Sequence, residues 1–195
     1  MTTTTKKTTK TVKAQATPIP NLPKIPFAFE VFDAASKQRT KAKKIEVLQR
    51  YAHDSIMALL IWNFDETAIS VLPPGEVPYG NNKEDSMVTG TLSDKINDAV
   101  GKMSEMGSTS LGSQDQGQAS IRKEYTKFYN FLNGGNDKLS SLRRETMFIN
   151  ILEGLHPREA EILILVKDKR LTDKYKITKE VAAAAYPQIT WGGRS

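Results

Sequence analysis

The chain has 195 residues, of which 38% are apolar and 26% are charged, and its formal net charge is +6. This length suits one domain with tails, or one and a half domains. The apolar content lies below that of a typical compact domain, so we expect part of the chain to be unpacked. The absence of cysteine excludes a disulfide framework, a thiolate zinc site and a thiol nucleophile. The most apolar run, Ile56–Trp62, is far shorter than the roughly 20 residues that span a bilayer, so we expect a soluble protein.

Residues 1–26 form a predicted flexible basic arm. Its first part is a Thr/Lys low-complexity sequence without hydrophobic periodicity, and 18–26 contains four prolines, which favours an extended spacer. The arm holds five of the 28 bases and none of the 22 acids, so the rest of the chain is close to neutral. Its candidate residues for binding nucleic acid or another partner are Lys6, Lys7, Lys10 and Lys13.

Residues 27–80 are predicted to form a first helical lobe. Thr40 and Asp54 are placed to cap its second and third helices. The third helix is apolar around almost its whole circumference, so it should be buried. After it, 71–80 contains three prolines and two glycines and is predicted to be irregular. The predicted helices of this lobe are Phe27–Ala35, Thr40–Tyr51 and Asp54–Phe64.

Residues 81–118 are predicted to form a long polar loop or linker between two lobes. The segment is rich in Gly, Ser, Asn, Thr, Asp and Gln. One weak helix fits residues 92–106, although Gly101 interrupts it. A connection of this length is unusual inside one compact domain, which favours two lobes.

Residues 119–195 are predicted to form a second helical lobe, whose helices have clearer start and stop signals in the sequence. Gly134 and Gly135 suit the end of its first helix, and Pro157 suits the first position of its third. The predicted helices are Ser120–Leu132, Ser140–Leu155, Pro157–Val166 and Thr178–Tyr186. Strand patterns are almost absent, so the predicted fold is all-α, with two small helical lobes, a joining polar loop and a disordered basic N-terminal arm.

Several segments carry a resemblance to a known family. In the second half they are RRETMFINILE at 143–153, LHPREAE at 155–161, VKDKRL at 166–171 and the run from ITKEV to YPQITWG at 177–192. The first half adds FEVFDAA, the helix near Lys44 and LPPGEVPY. Through these segments the chain resembles small, uncharacterised proteins of tailed bacteriophages, especially large myoviruses and marine cyanophages. The resemblance implies no activity and no catalytic residues.

Candidate catalytic chemistry is confined to His156 and its neighbours Glu153 and Glu159. One interpretation makes His156 a ligand or general base beside these acids. The other makes it a helix-start residue that bonds backbone before Pro157, and the lack of metal-ligand spacing favours this second interpretation. No glycine-rich loop stands between a strand and a helix. We therefore predict no catalytic, cofactor or metal site and a protein that is not an enzyme.

Basic clusters in the second lobe are the other candidate site. Arg143 and Arg144 lie in the first turn of a predicted helix, where the helix dipole does not stabilise cations, so an anionic partner or a nearby acid would explain them. Lys167, Lys169 and Arg170 end the next predicted helix, where the helix dipole stabilises cations without any partner. Trp191 is either an exposed docking anchor or part of the core. The candidate partner-binding residues of this lobe are Arg143, Arg144, Lys167, Lys169, Arg170 and Trp191.

Two functions fit these features. The first is a non-enzymatic phage accessory protein that binds nucleic acid, or a host or phage protein complex, in the host cytoplasm during infection. The second is a minor structural component of the virion, such as a capsid, neck or internal protein, because flexible arms often lace subunits together. Neither requires a cofactor or a membrane.

Overall fold

The computed structural model describes residues 19–75 and 119–193. Within these two ranges the chain forms eight α-helices, one 3-10 helix and no strand, which confirms the predicted all-α class. None of the helices in these ranges is long and apolar enough to cross a bilayer. The predicted arm up to residue 18, with Lys6, Lys7, Lys10 and Lys13, and the whole predicted linker 81–118 lie outside the described residues.

Most helices begin where the sequence signals place them, but the short helix Leu171–Lys174 was not predicted. The Thr40 hydroxyl accepts from the Lys43 backbone N–H at 3.3 Å, as predicted. Asp54 was predicted to cap the third helix, but the cap is His53, whose Nδ1 accepts from the Ser55 N–H at 3.0 Å. The helices are α1 (Ala28–Ser36), α2 (Lys41–Arg50), α3 (Asp54–Phe64), α4 (Ile121–Glu124), the 3-10 helix η1 (Tyr125–Phe131), α5 (Ser141–Gly154), α6 (Pro157–Lys167), α7 (Leu171–Lys174) and α8 (Lys179–Ala185).

Helix α3 lies at the centre of the molecule. Its side chains Leu59, Leu60 and Trp62 are almost completely buried, and α3 contacts η1, α6 and α8. Helix α2 packs against α8, where the Tyr186 hydroxyl donates to the Leu48 carbonyl at 2.7 Å. The two predicted helical lobes therefore share one hydrophobic core. The reason is that a helix apolar on all faces needs cover on all sides, and α1 and α2 alone cannot supply it.

The segment after Ser120 is not the continuous α-helix that the apolar spacing predicted. It changes to 3-10 geometry after α4 and ends at Phe131, and Leu132 is extended and pairs with Ser70. In a 3-10 helix, residues three positions apart lie on the same face. Phe128 and Phe131 consequently both reach the Trp62 ring, with centroids at 5.5 and 6.0 Å. The 3-10 segment is thus packed through its aromatic side chains against a helix distant in the sequence.

Candidate anion-binding surface

His156 caps a helix, as the helix-start interpretation predicted. Its Nδ1 accepts from the Arg158 backbone N–H at 3.2 Å, and its ring stacks on Phe29 with centroids 4.9 Å apart. Burial, followed by the charge of Arg158, lowers the pKa of His156 below its usual value. A neutral imidazole that accepts a backbone bond fits this place. Among the described residues, no three His, Asp or Glu side chains are arranged to hold a metal ion.

Glu159 joins three helix starts inside the protein. Its Oε1 accepts from the Ala28 N–H at 3.1 Å and its Oε2 from the Ile121 N–H at 2.9 Å, while Glu159 itself lies in the first turn of α6. Burial raises the pKa of this carboxyl to about 7, against the two backbone donors that lower it. Glu153, by contrast, lies exposed on α5. Glu159 therefore serves as a structural junction between α1, α4 and α6.

Lys167 and Lys169 bond to carbonyl groups of the protein itself. The Lys167 side chain is only 1% exposed, and its Nζ donates to the carbonyls of Pro73 at 2.9 Å and Gly75 at 3.0 Å. It also lies 2.6 Å from Asp168. The Lys169 Nζ donates to the carbonyl of Asp65 at 2.7 Å. These amino groups fasten the chain after α3 to the end of α6, which leaves them little capacity for a partner.

Lys169 occupies the left-handed position at the end of α6. The Lys169 and Arg170 N–H groups donate to the Val166 and Leu165 carbonyls, and Lys169 has a φ of 58°. This is a Schellman ending, in which the left-handed residue is usually glycine. A lysine there carries backbone strain, and its bond to Asp65 gives a structural reason for its presence.

The remaining predicted residues differ in their surroundings. Arg144 donates through Nε to the Asn130 carbonyl at 2.7 Å and through Nη2 to that of Asn136 at 2.8 Å, which closes the end of η1. Arg170 pairs with Asp173 on the surface at 2.8 Å. Trp191 is half-buried against the core beneath the Lys179 amino group, so it packs as a core residue. Arg143 is exposed.

The strongest basic region of the described chain lies elsewhere, around the turn from α1 to α2. Residues 37–44 have the sequence KQRTKAKK, with five bases and no acid. We use the term basic surface for the region formed by Lys37, Arg39, Lys41, Lys44 and Lys176. The first two lie in the turn, the next two at the start of α2, and the last after α7. The side chains of Lys37, Arg39 and Lys41 are exposed. Lys43, beside them, is paired with Glu46 at 3.1 Å.

The tertiary fold adds Lys176 to this surface. Its backbone N–H donates to the Ser36 hydroxyl at 3.2 Å, and its carbonyl accepts from the Lys44 amino group. Partial burial, followed by the charge of Lys176, lowers the pKa of Lys44, so the two cations repel each other. No acid lies in the first turn of α2, whose helix dipole adds further positive potential. The exposed Glu180 is an acid within electrostatic range of Lys41. An anionic partner would relieve the crowding of cations.

Sequence reasoning missed this surface because it used 37–51 only for the apolar stripe of α2. A count of charge over eight-residue windows would have found the run from Lys37 to Lys44, with five bases and no acid. The contribution of Lys176 has no such signal, because it lies 132 residues from Lys44 along the chain.

A model of a protein family, described as a family of unknown function (DUF6433), matches residues 31–100 and 108–173. The chain belongs to this family. Comparison with the curated proteins and with the solved structures found no match. The matched residues include the basic run 37–44, whereas the predicted arm lies before them.

Proposed function

We propose that this protein is a non-enzymatic nucleic-acid-binding protein, and that the basic surface is the site that contacts the phosphate backbone. The observation that carries the proposal is the run from Lys37 to Lys44, which contains no acid and exposes Lys37, Arg39 and Lys41, and to which the fold adds Lys176. Neutralising phosphates with lysine and arginine releases condensed counterions, and this supplies most of the affinity of non-specific binding.

The chemistry of the surface favours contact with phosphates over contact with bases. Recognition of single strands by stacking uses aromatic side chains interleaved with the cations. Residues 37–44 contain no aromatic residue, and Phe32 and Tyr175 nearby are buried and pack on each other at 5.5 Å. The affinity of binding through phosphate contacts should depend little on the nucleic-acid sequence and should fall as the salt concentration rises.

The test is a salt titration of binding to a generic DNA duplex, followed by fluorescence anisotropy. In the variant with Lys37→Gln, Arg39→Gln and Lys41→Gln, we expect weaker binding and a salt slope smaller by up to about 2.7, from about 0.9 per phosphate contact. The matched control removes the same charge from exposed residues elsewhere, through Lys123→Gln, Lys138→Gln and Arg170→Gln, and should change the slope much less. Equal losses in both variants, or no binding by the native chain at low salt, would refute the proposal.

We further propose, from the resemblance to tailed-phage proteins, that this binding occurs in the host cell during infection. Recovery of the tagged protein from infected cells after ultraviolet crosslinking should bring nucleic acid with it, and the triple variant of the basic surface should bring much less. Recovery of a protein complex that survives nuclease treatment, with no crosslinked nucleic acid, would replace this proposal with a protein partner.

A further inference from the structure

Helices α2 and α8 lie side by side and run in the same direction. Near the ends of both helices, the Gln49 side-chain amide donates to the Ala185 carbonyl at 3.3 Å. Near their starts, the Lys44 amino group donates to the carbonyl of Lys176, which lies just before α8. The first turns of both helices therefore lie at the same end of the pair, and that end carries the basic surface.

Glu180 brings a negative charge to this end of the helix pair. It lies exposed in the first turn of α8. A hydrogen bond with the Thr178 side chain, followed by one within its own backbone, lowers the pKa of Glu180, and the charges of Lys41 and Lys179 lower it further. Lys179 is also held by Glu66, at 3.9 Å. Lys41 is therefore the residue of the basic surface that Glu180 faces.

Two other acids beside the basic surface are already paired with cations outside it. Glu46 is 3.1 Å from Lys43, and Asp33, one turn before the end of α1, is 2.5 Å from Arg158. Within the ranges that the structure describes, the Glu180 carboxylate has no cation at ion-pair distance. Its charge therefore acts on the basic surface without being cancelled by a partner of its own.

A carboxylate in this place has two physical consequences. In the first turn of a helix it is stabilised by the helix dipole, which is a role in the stability of α8. Beside Lys41 it also attracts the cation that a phosphate group would contact, and it repels that phosphate. The two roles predict opposite results when the charge is removed, because a loss of helix stability cannot strengthen the binding of a polyanion.

We propose that Glu180 is an internal counter-ion of the basic surface, which competes with phosphate groups for Lys41 and so limits the affinity for nucleic acid. This inference rests on the proposed function and adds a residue that regulates the same site. Phosphates then contact Lys37 and Arg39 freely, whereas a contact with Lys41 has to displace the attraction of Glu180. The surface accordingly binds a polyanion less tightly than its number of cations implies.

The test measures the affinity of the full-length chain for a generic DNA duplex by fluorescence anisotropy. At low salt, Glu180→Gln should bind about threefold more tightly, with a salt slope larger by up to about 0.9 for one further phosphate contact. The gain should shrink as the salt approaches 1 M, where the Debye length is about 3 Å. The matched control Glu153→Gln makes the same change of charge at an exposed position on α5 and should alter the affinity much less.

A second pair of variants tests whether Glu180 acts through Lys41. In a chain that carries Lys41→Gln, the further change Glu180→Gln should lose most of its gain, since neighbouring charges that interact are not additive. An equal gain from Glu153→Gln, or a full gain without Lys41, would overturn this inference and leave the proposed function standing. If the native chain does not bind the duplex at low salt, the proposed function is wrong and this inference is wrong with it.

Discussion

Two groups of cations in this protein have the same side chains and different surroundings. Lys167, Lys169 and Arg144 donate to backbone carbonyls and hold the chain together. Lys37, Arg39 and Lys41 lie on the surface and have no acid in their own stretch of sequence. The comparison teaches that a cation becomes structural when the fold brings unpaired carbonyls to it. Lys44 combines both situations, because its amino group donates to the Lys176 carbonyl while the charge of Lys176 lowers its pKa.

The largest effect is expected from the buried lysine of the first group. Lys167→Met removes the donor to the Pro73 and Gly75 carbonyls and leaves Asp168 without its cation. Loss of buried polar partners of this kind should lower the free energy of unfolding by about 2–4 kcal/mol, measured by urea denaturation. Lys41→Met, on the exposed surface, should change it by less than about 0.5 kcal/mol. Similar losses in both variants would show that the distinction between the two groups is not one of stability.

A sharper comparison uses two adjacent arginines. Arg144→Gln should cost about 1.5–3 kcal/mol, because two charge-assisted bonds to the Asn130 and Asn136 carbonyls are lost. Arg143→Gln, one residue away and exposed, should cost less than about 0.5 kcal/mol. The same denaturation experiment measures both, and a cost for Arg143→Gln as large as that for Arg144→Gln would contradict the assignment of Arg144 to the end of η1.

A third comparison concerns Glu159, a buried acid that joins distant parts of the chain as the buried lysine does. The pKa of Glu159 is raised from 4.5 to about 7, so between these values the folded protein binds more protons than the unfolded chain. The contribution of Glu159 to stability is then present at low pH and is lost as the pH rises towards 7, with a slope of at most about 1.4 kcal/mol per pH unit.

Glu159→Gln removes this titration, and the difference in unfolding free energy between the native chain and the variant should change with pH between about 5 and 7. Urea denaturation at several pH values measures it. If the difference in unfolding free energy stays constant across this range, Glu159 titrates alike in the folded and unfolded chain.

Most of the helices were predictable because their signals are local. Thr40 caps α2 through a bond to a residue three positions away, and Pro157 begins α6 as the sequence indicates. Two predictions were wrong, one within a few residues of a helix start and one where distant side chains pack. At the start of α3, Asp54 carries the commoner capping side chain, but His53 occupies the capping position. After Ser120, the spacing of Ile121, Tyr125, Phe128 and Leu132 predicted one α-helix, but the chain from Tyr125 is a 3-10 helix whose Phe128 and Phe131 pack on Trp62.

The candidate site was less predictable than the fold, because the same basic residues can be exposed or internal. Nothing near Lys167 in the sequence shows that the Pro73 carbonyl, 94 residues away, will meet its amino group. The run 37–44 was visible as charge, yet the exposure of its side chains depends on which surfaces α1 and α2 bury.

The order of amino acids alone determined the all-α class, the capped helices and the apolar face of each, because backbone bonds and caps span only a few residues. Tertiary structure alone decided that both halves share one core around α3, that Glu159 joins three helix starts, and which cations remain at the surface. Those outcomes depend on groups that lie 38 to 132 residues apart, and only the packed chain brings such groups within bonding distance.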